Sequence, residues 1–194
     1  MLTLADELYD LGVLNFGSFT LKSGIISPFY LDLRRTVSSP EILIKVADAL
    51  HEAVKNYPYD LVCGVPYTAL PFATVFSIRH NIPMILKRKE KKLHGTGKMC
   101  EGVFQQGQTC LVIEDVITSG QSIFETLEAL ENEGISVKDI AVLVDREQGG
   151  RQLLESKGYR LHSVFTIRQI VSHLSQAGKI DAAAASTIFD FIRR

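Results

Sequence analysis

The chain has 194 residues, of which 46% are hydrophobic, and a formal net charge of −1. This length predicts a single domain over 1–194, and the near-neutral charge gives no general attraction to nucleic acid or to an anionic membrane. The three cysteines lack the spacing of a disulfide framework or a zinc site and indicate a reducing, cytoplasmic location. No apolar stretch approaches the roughly 20 residues that span a bilayer, and the N-terminus lacks the features of a signal peptide.

The first third of the chain predicts a helix, a hairpin and a second helix. The first helix covers 3–14, and short strands at 16–22 and 29–33 flank a turn at Ser23-Gly24. The second helix starts at Ser39-Pro40-Glu41, because proline is well suited to the first helical position.

The rest of the chain alternates short apolar strands with amphipathic helices. This pattern predicts an α/β fold with a central, mostly parallel sheet flanked by helices on both faces. The strands fall at 61–65, 84–86, 111–113, 140–144 and 161–165, whereas 87–102 lacks apolar periodicity and predicts a long polar loop. Ligands bind such sheets at the carboxyl ends of the strands, where three unusual segments fall: 66–69, 114–122 and 145–150.

Two adjacent acids, Glu114 and Asp115, follow an apolar strand and precede a turn of small residues and a helix. Backbone N–H groups of 118–122 at a helix N-terminus suit a phosphate. The carboxylates would repel that phosphate unless they face sugar hydroxyls or a divalent cation. The segment has neither the Gly-Lys-Ser of a Walker loop nor the glycine spacing of a dinucleotide site. It therefore predicts a site for a phosphorylated ribose, the alternative being an ordinary turn whose acids cap the helix.

The polar loop is rich in cations between Lys87 and Lys98 and contains His94. On its own this segment is compatible with a solvated charge run or a nucleic-acid patch. Beside a phosphoribose site it predicts a mobile lid, whose cations neutralise a pyrophosphate and whose glycines let it close. Cys100, in the same loop, is expected to be accessible to modification.

Two further segments carry groups suited to a flat acidic ring. Residues 19–24 with 28–32 predict either a hairpin with exposed polar tips or an aromatic slot with Lys22 at its mouth. Arg146 follows the strand at 140–144 and predicts either a surface salt pair or a bidentate clamp for a carboxylate.

Together these motifs resemble those of a known family. Val-Ile-Glu-Asp-Val-Ile-Thr-Ser-Gly-Gln-Ser at 112–122 resembles the phosphoribosyl-diphosphate signature of type I phosphoribosyltransferases. Four more segments resemble the orotate phosphoribosyltransferases, above all the transferase part of bifunctional UMP synthases: Phe-Thr-Leu-Lys-Ser-Gly at 19–24, Gly-Val-Pro-Tyr-Thr-Ala at 64–69, Arg-Lys-Glu-Lys-Lys-Leu-His-Gly at 88–95 and Val-Asp-Arg-Glu-Gln-Gly-Gly at 144–150.

The resemblance implies the type I phosphoribosyltransferase fold, with a small N-terminal hood, mainly 1–35, and the mobile lid at about 87–102. It implies transfer of phosphoribosyl from 5-phosphoribosyl 1-diphosphate to orotate, giving orotidine 5′-monophosphate and pyrophosphate in UMP biosynthesis. Mg²⁺ would be the cofactor, bound mainly through diphosphate and water rather than by direct protein ligands. A homodimer that shares its lids is implied, with no nucleic-acid or membrane partner and with a decarboxylase as a possible separate or fused partner.

Carried over motif by motif, the resemblance assigns catalysis to Lys92, His94 and Asp115. The orotate contacts would be Lys22, Phe29, Tyr30, Thr118 and Arg146. The phosphoribosyl diphosphate contacts would be Lys22, Tyr67, Thr68, Arg88, Lys89, Lys92, His94, Glu114, Asp115, Val116, Ile117, Thr118, Ser119, Gly120, Gln121 and Ser122.

Thr68 departs from the pattern, because many single-function members carry lysine at this position. One cation contact to the diphosphate is therefore missing. Two other functions remain open: a transferase for another base, such as a purine, and a regulator that senses phosphoribosyl diphosphate and binds nucleic acid. Arg146 and Lys22 favour an acidic base, and the cation-rich lid favours an enzyme.

Overall fold

A computed structural model describes residues 2–20, 24–89 and 99–193. The strands of the described chain are β1 (Leu14–Thr20), β2 (Ile26–Leu31), β3 (Leu61–Gly64), β4 (Met84–Lys87), β5 (Cys100–Glu101), β6 (Thr109–Ile117), β7 (Ser136–Asp145) and β8 (Arg160–Thr166). The α-helices are α1 (Leu2–Asp10), α2 (Pro40–Val54), α3 (Ala69–His80), α4 (Gln121–Asn132), α5 (Gly150–Ser156), α6 (Ile167–Gln176) and α7 (Ala182–Ile192), and a 3₁₀ helix covers Leu33–Ser38.

Six of these strands form the central sheet, in the order β5-β4-β3-β6-β7-β8. All neighbouring pairs are parallel except β4 and β5, which are antiparallel. The predicted α/β class with a mostly parallel sheet is therefore confirmed. The start of α2 at Pro40, after Ser39, is also as predicted.

The strands at the centre of the sheet are buried on both faces, because helices cover each side. Along β6, Leu111 and Ile113 belong to the apolar core that includes α2, α3 and α6, whereas Cys110 and Val112 belong to the core that includes α4 and α5. This alternation follows the two-residue period of a strand. Continuous apolar runs of this kind are typical of parallel sheets between helical layers.

The N-terminal hairpin of β1 and β2 forms a separate antiparallel sheet. Its bounds differ from the predicted ones. The first helix ends at Asp10 because Leu14 already pairs with Leu31 in the hairpin. The second strand starts at Ile26 and ends at Leu31, and Leu33 instead opens the 3₁₀ helix.

The predicted strand 111–113 is too short, since β6 continues to Ile117. Val116 and Ile117 pair with Val144 and Asp145 of β7, and this backbone ladder forms whatever the polarity of the side chains. Glu114 and Asp115 thus lie within the strand rather than after it.

The predicted polar loop 87–102 is wrong at both of its ends. Lys87 belongs to β4, where its backbone pairs with Cys100 of β5, and Glu101 extends β5 by one more residue. Cys100 is buried, and burial raises the pKa of its thiol to about 11, so the expectation of an accessible Cys100 is also wrong. Residues 90–98 of the predicted lid lie outside the described residues.

No helix in the described ranges combines the length and the apolar character that crossing a bilayer requires. All three cysteines are free and buried, and Cys63 and Cys110 lie in the strands where they were predicted.

Candidate active site

The three unusual segments meet at the carboxyl edge of the central sheet, after the adjacent strands β3, β6 and β7. Backbone hydrogen bonds join these segments or the residues next to them. The N–H of Val65 donates to the carbonyl of Ile113 at 2.9 Å, and the N–H of Arg146 donates to the carbonyl of Ile117 at 3.1 Å. The N–H of Gly150 donates to the carbonyl of Thr118 at 2.9 Å. The predicted convergence of these segments is therefore present.

The turn between β6 and α4, which we call the phosphate loop (Val116–Ser122), surrounds a cavity of about 310 Å³. Gly120 precedes α4 with a φ of +81°, a left-handed conformation that side chains rarely adopt. The α4 N-terminus opens toward this loop, so its free N–H groups and the helix dipole favour an anion there. The carboxylate of Glu125 also lines the cavity and is held by the Gln121 amide at 3.2 Å.

The two acids of β6 differ in their surroundings. Glu114 is only 4% exposed, and its oxygens accept hydrogen bonds from the N–H of Asp115 at 2.9 Å and the hydroxyl of Ser122 at 2.8 Å. Glu114 therefore ties the strand to the start of α4. Asp115 is half-buried beside the same loop. Each carboxylate oxygen has two lone pairs, so both side chains keep capacity to accept bonds from sugar hydroxyls.

The electrostatics of this pair favour ligands that donate hydrogen bonds or carry positive charge. Burial raises the pKa of Glu114 well above its ordinary value, and the neighbouring Asp115 raises it further. Burial also raises the pKa of Asp115, although its hydrogen bond with Glu114 and the charge of Arg34 partly oppose this rise. Hydroxyl groups or a cation at this position would relieve the cost of placing a buried and a half-buried carboxylate next to each other.

Arg146 presents its guanidinium at the end of β7. Its Cζ atom lies 4.6 Å from the centre of the Phe29 ring. Its Nε and Nη2 atoms are buried, and neither has a hydrogen-bond partner among the described residues. Burial lowers the pKa of Arg146, yet guanidinium remains charged in proteins. Two buried donors without an acceptor would suit a planar anion such as a carboxylate.

The predicted aromatic residues of the hairpin occupy two different positions. Phe29 is fully buried, so its ring supports the guanidinium of Arg146. Tyr30 is partly exposed and packs against Phe19 with ring centres 5.7 Å apart. The Tyr30 hydroxyl accepts a hydrogen bond from Nη2 of Arg34 at 3.0 Å.

Arg34 is a residue of this region that the sequence analysis missed. Arg34 lies in the 3₁₀ helix, its Nε donates to Asp32 at 2.6 Å, and its charge opposes the rise in the pKa of Asp115. The available signal was a pair of arginines, Arg34-Arg35, directly after the predicted strand. A charge pair after a strand is common at protein surfaces, so this signal alone was weak.

The residues predicted to bind a diphosphate lie at the ends of β3 and β4. Tyr67 is 64% exposed, and Nζ of Lys89 lies 5.0 Å from its ring centre. Thr68 immediately precedes α3, and the peptide bond between Pro66 and Tyr67 is cis. Arg88 forms an ion pair with Glu101 of β5 at 3.0 Å.

Three predicted site residues, Lys22, Lys92 and His94, lie outside the described residues, so their roles stay predictions. Within the described part of the chain, no group of three or more His, Cys, Asp or Glu side chains is arranged to hold a metal ion. A second cavity, of about 810 Å³, lies next to the Arg146 turn between Ile25-Ile26, residues 147–149 and Phe191-Ile192.

Comparisons with known proteins match this architecture. A family model described as a phosphoribosyl transferase domain matches residues 36–167. Uridine 5′-monophosphate synthase of Bos taurus is 49% identical over 193 residues, which cover 98% of this chain and 40% of the synthase. Orotate phosphoribosyltransferase of Chlamydia caviae is 42% identical over 190 residues, which cover 95% of this chain and 92% of that protein.

The solved structure of Leishmania donovani UMP synthase superposes on this chain with a TM-score of 0.91 and 34% identity. That match covers 98% of this chain and 42% of the synthase. The chain therefore spans about two fifths of the length of the synthases it matches, but nearly the whole of the Chlamydia relative.

Proposed function

The chain belongs to the phosphoribosyltransferase family and, within it, to the orotate phosphoribosyltransferases, and on that premise we propose the reaction that it catalyses. Its fold is the type I phosphoribosyltransferase fold that the sequence predicted. The proposed reaction transfers phosphoribosyl from 5-phosphoribosyl 1-diphosphate to orotate, releasing pyrophosphate and forming orotidine 5′-monophosphate, the precursor of UMP. The enzyme is then a pentosyltransferase.

The observation that carries this proposal is the arrangement of three complementary groups along one sheet edge. The phosphate loop offers N–H groups to a 5′-phosphate, Asp115 and Glu114 offer acceptors to ribose hydroxyls, and Arg146 offers two unpaired donors. Because β6 and β7 are adjacent, the loop, the two acids and Arg146 lie at the same edge of the sheet. An acidic base such as orotate supplies the anion that Arg146 lacks.

The remaining predicted contacts complete this assignment. Thr118 and Tyr30 would contact orotate, together with Lys22, while Phe29 supports Arg146 from below. Tyr67, Thr68, Arg88 and Lys89 would contact the diphosphate, because they lie at the carboxyl ends of the neighbouring strands β3 and β4. Lys92 and His94 would complete the diphosphate site from the lid.

Catalysis would rest on positioning and electrostatic stabilisation. Positive charge develops on the ribose as its bond to the diphosphate breaks, and Asp115 would stabilise that charge. Arg88 and Lys89, which follow β4, and the cations of the lid would stabilise the negative charge on the leaving group, and the lid would exclude water from the reacting carbon. The carboxylate pair also fits a hard cation that keeps most of its water, and Mg²⁺, when bound, would offset charge on the diphosphate.

One assay tests the reaction. Orotate consumption and pyrophosphate release are followed together, with Mg²⁺ and after its removal by a chelator. The expected result is equimolar turnover that depends on Mg²⁺. Consumption of adenine, guanine or hypoxanthine instead of orotate would assign the chain to another base. No turnover with any base, together with a DNA mobility shift that responds to phosphoribosyl diphosphate, would assign it to regulation.

We also propose a homodimer in which each lid serves the neighbouring site, acting in the cytoplasm, with a decarboxylase as separate or fused partner. Relatives of the synthase type support that partner, and three free, buried cysteines support a reducing compartment. Lys92→Ala and Arg146→Ala proteins, each inactive alone, should regain activity when mixed. Failure to regain activity despite subunit exchange, checked by native mass spectrometry, would show that each subunit has a self-contained site.

A further inference from the structure

Two arginines five residues apart at the end of β7 have opposite surroundings. Arg146 has two buried donors without a partner among the described residues. In Arg151, of helix α5, every guanidinium nitrogen donates a hydrogen bond. Nε donates to Asp145 at 2.8 Å, Nη1 to the carbonyl of Leu161 at 2.8 Å, and Nη2 to the hydroxyl of Ser163 at 2.8 Å. Arg151 thus joins the end of β7, the start of α5 and strand β8.

The carboxylate of Asp145 connects Arg151 with the turn that contains Arg146. Its side chain is 3% exposed. One oxygen accepts from Arg151, and the other accepts from the backbone N–H of Glu147 at 2.8 Å. The residues on each side of Arg146 are therefore fixed to each other through a buried carboxylate whose charge Arg151 neutralises.

The backbone beyond Arg146 needs such support. Glu147 has a φ of +56°, in the left-handed region that residues other than glycine rarely adopt. Its carboxylate accepts a hydrogen bond from the N–H of Arg168, at the start of α6, at 3.0 Å. An uncommon conformation of this kind persists only where neighbouring groups determine it.

We propose that Arg151 is a positioning residue for base recognition, which holds the 145–150 turn so that Arg146 points its free donors at the acidic base. The inference rests on the proposed function, because it assigns Arg146 to orotate. Arg151 itself contacts no substrate in this assignment. The bonds of the turn to the phosphate loop are backbone bonds from Arg146 and Gly150, so they do not involve the Arg151 side chain.

The test compares Arg151→Lys and Arg151→Ala with a matched control, Arg160→Lys. Arg160 forms the same kind of pair with the buried Asp139 of β7, at 2.8 and 2.7 Å, at the opposite end of this strand. The KM values for orotate and for phosphoribosyl diphosphate, and kcat, are measured for each protein, with hydrogen–deuterium exchange of the 145–150 amides.

We expect Arg151→Lys to raise the KM for orotate by about tenfold, the effect of losing roughly one charge-assisted hydrogen bond, with kcat and the other KM within about twofold. Exchange at 145–150 should become faster. Arg160→Lys should change neither the KM for orotate nor the exchange rate at 145–150. Methylguanidine added to Arg151→Ala should lower the KM for orotate back toward the wild-type value.

The outcomes separate this inference from the proposed function. If the wild type turns over orotate but Arg151→Lys leaves the KM for orotate unchanged, the positioning role is overturned and the reaction stands. A parallel rise of both KM values with loss of kcat would indicate a structural role only, and would also overturn it. If the wild type is inactive on orotate, the proposed function fails, and unchanged exchange at 145–150 in Arg151→Lys would then reject the anchor as well.

Discussion

Buried charge is compensated differently near the amino end of strand β7 and at Glu114, Asp115 and Arg146, on the carboxyl edge of the sheet. At the amino end, Asp139 is buried, and Arg160 and His162 both bond its carboxylate, at 2.7–2.8 Å. At the carboxyl end, Glu114 and Asp115 lie side by side, and the donors of Arg146 have no partner in the described chain. Buried charge without compensation costs stability, so these groups, unlike Asp145 with its partner Arg151, are candidates for binding a ligand.

The pKa of Asp139 is shifted in the opposite direction from the pKa values of Glu114 and Asp115. Although burial raises the pKa of Asp139, the bonds from Arg160 and His162 outweigh it and hold this pKa below its ordinary value. For Glu114 and Asp115 burial dominates, and the pKa values rise. A carboxylate with a lowered pKa stabilises the folded state when it is ionised. A carboxylate with a raised pKa destabilises the folded state when it is ionised. Substitutions at the two ends should therefore have opposite consequences.

The largest contrast is expected from Asp115→Asn. Losing a charge beside the ribose should lower kcat/KM by about 10²-fold or more, the usual effect of removing one transition-state contact. Folding should not suffer, because the amide removes a charge that burial disfavours. Pyrophosphate release and thermal melting measure the two effects. Wild-type turnover would remove Asp115 from the site.

Gly150→Ala tests whether the two functional turns must be in contact. A Cβ at this position would lie 2.5 Å from the carbonyl oxygen of Thr118 and 2.7 Å from Ile117. Both neighbours would have to move, which should cost about 1–3 kcal/mol of folding free energy. Binding of both substrates should weaken together, unlike the selective effect expected of Arg151→Lys. Calorimetric titration with each substrate checks this, and an effect on orotate alone would contradict it.

Asp139→Asn should lower stability and leave activity unchanged, whereas Asp115→Asn should lower activity and leave stability unchanged. Because Arg160 is half exposed, we expect a modest loss of about 1–2 kcal/mol of folding free energy at pH 7, with unchanged turnover. The folded-state pKa of Asp139 is lowered, so its contribution is present above the unfolded pKa and is lost as the pH falls below about 4. Urea unfolding at pH 7 and at pH 3 should show the variant approaching the wild type at the lower pH.

The smallest effect, and one of opposite sign, is expected from Glu114→Gln. The folded-state pKa of Glu114 is raised, so between its unfolded and folded pKa values the folded protein binds more protons. Wild-type stability should therefore rise as the pH falls from 7 toward 5. The variant should lack this rise. An identical pH dependence in both proteins would mean that Glu114 is not strained by burial.

Much of this contrast was accessible from the sequence, because it depends on local order. A run of apolar residues, two acids and a small-residue turn predicts the phosphate loop, and Arg146 after a strand predicts an anion clamp. The structure brings these segments to one edge as expected. Their contacts with substrates remain predictions, as do the roles of Lys22, Lys92 and His94.

The features that the sequence did not predict depend on partners distant in the chain. A surface salt pair was the alternative prediction for Arg146, yet the neighbouring carboxylate of Asp145 bonds Arg151, which in turn reaches Leu161 and Ser163. The burial of Cys100 follows from the pairing of Lys87 with it across β4 and β5, a short strand pair without apolar periodicity. The extension of β6 to Ile117 similarly required knowledge of β7.

The pair of backbone bonds from Arg146 to Ile117 and from Gly150 to Thr118 has a consequence for protein engineering. On the proposed role of Arg146, grafting the 145–150 turn alone should not exchange base preference, since the incoming segment must also match the carbonyl positions at the end of β6. A chimera intended to accept a different nucleobase should therefore import both turns from one donor, as a single cassette.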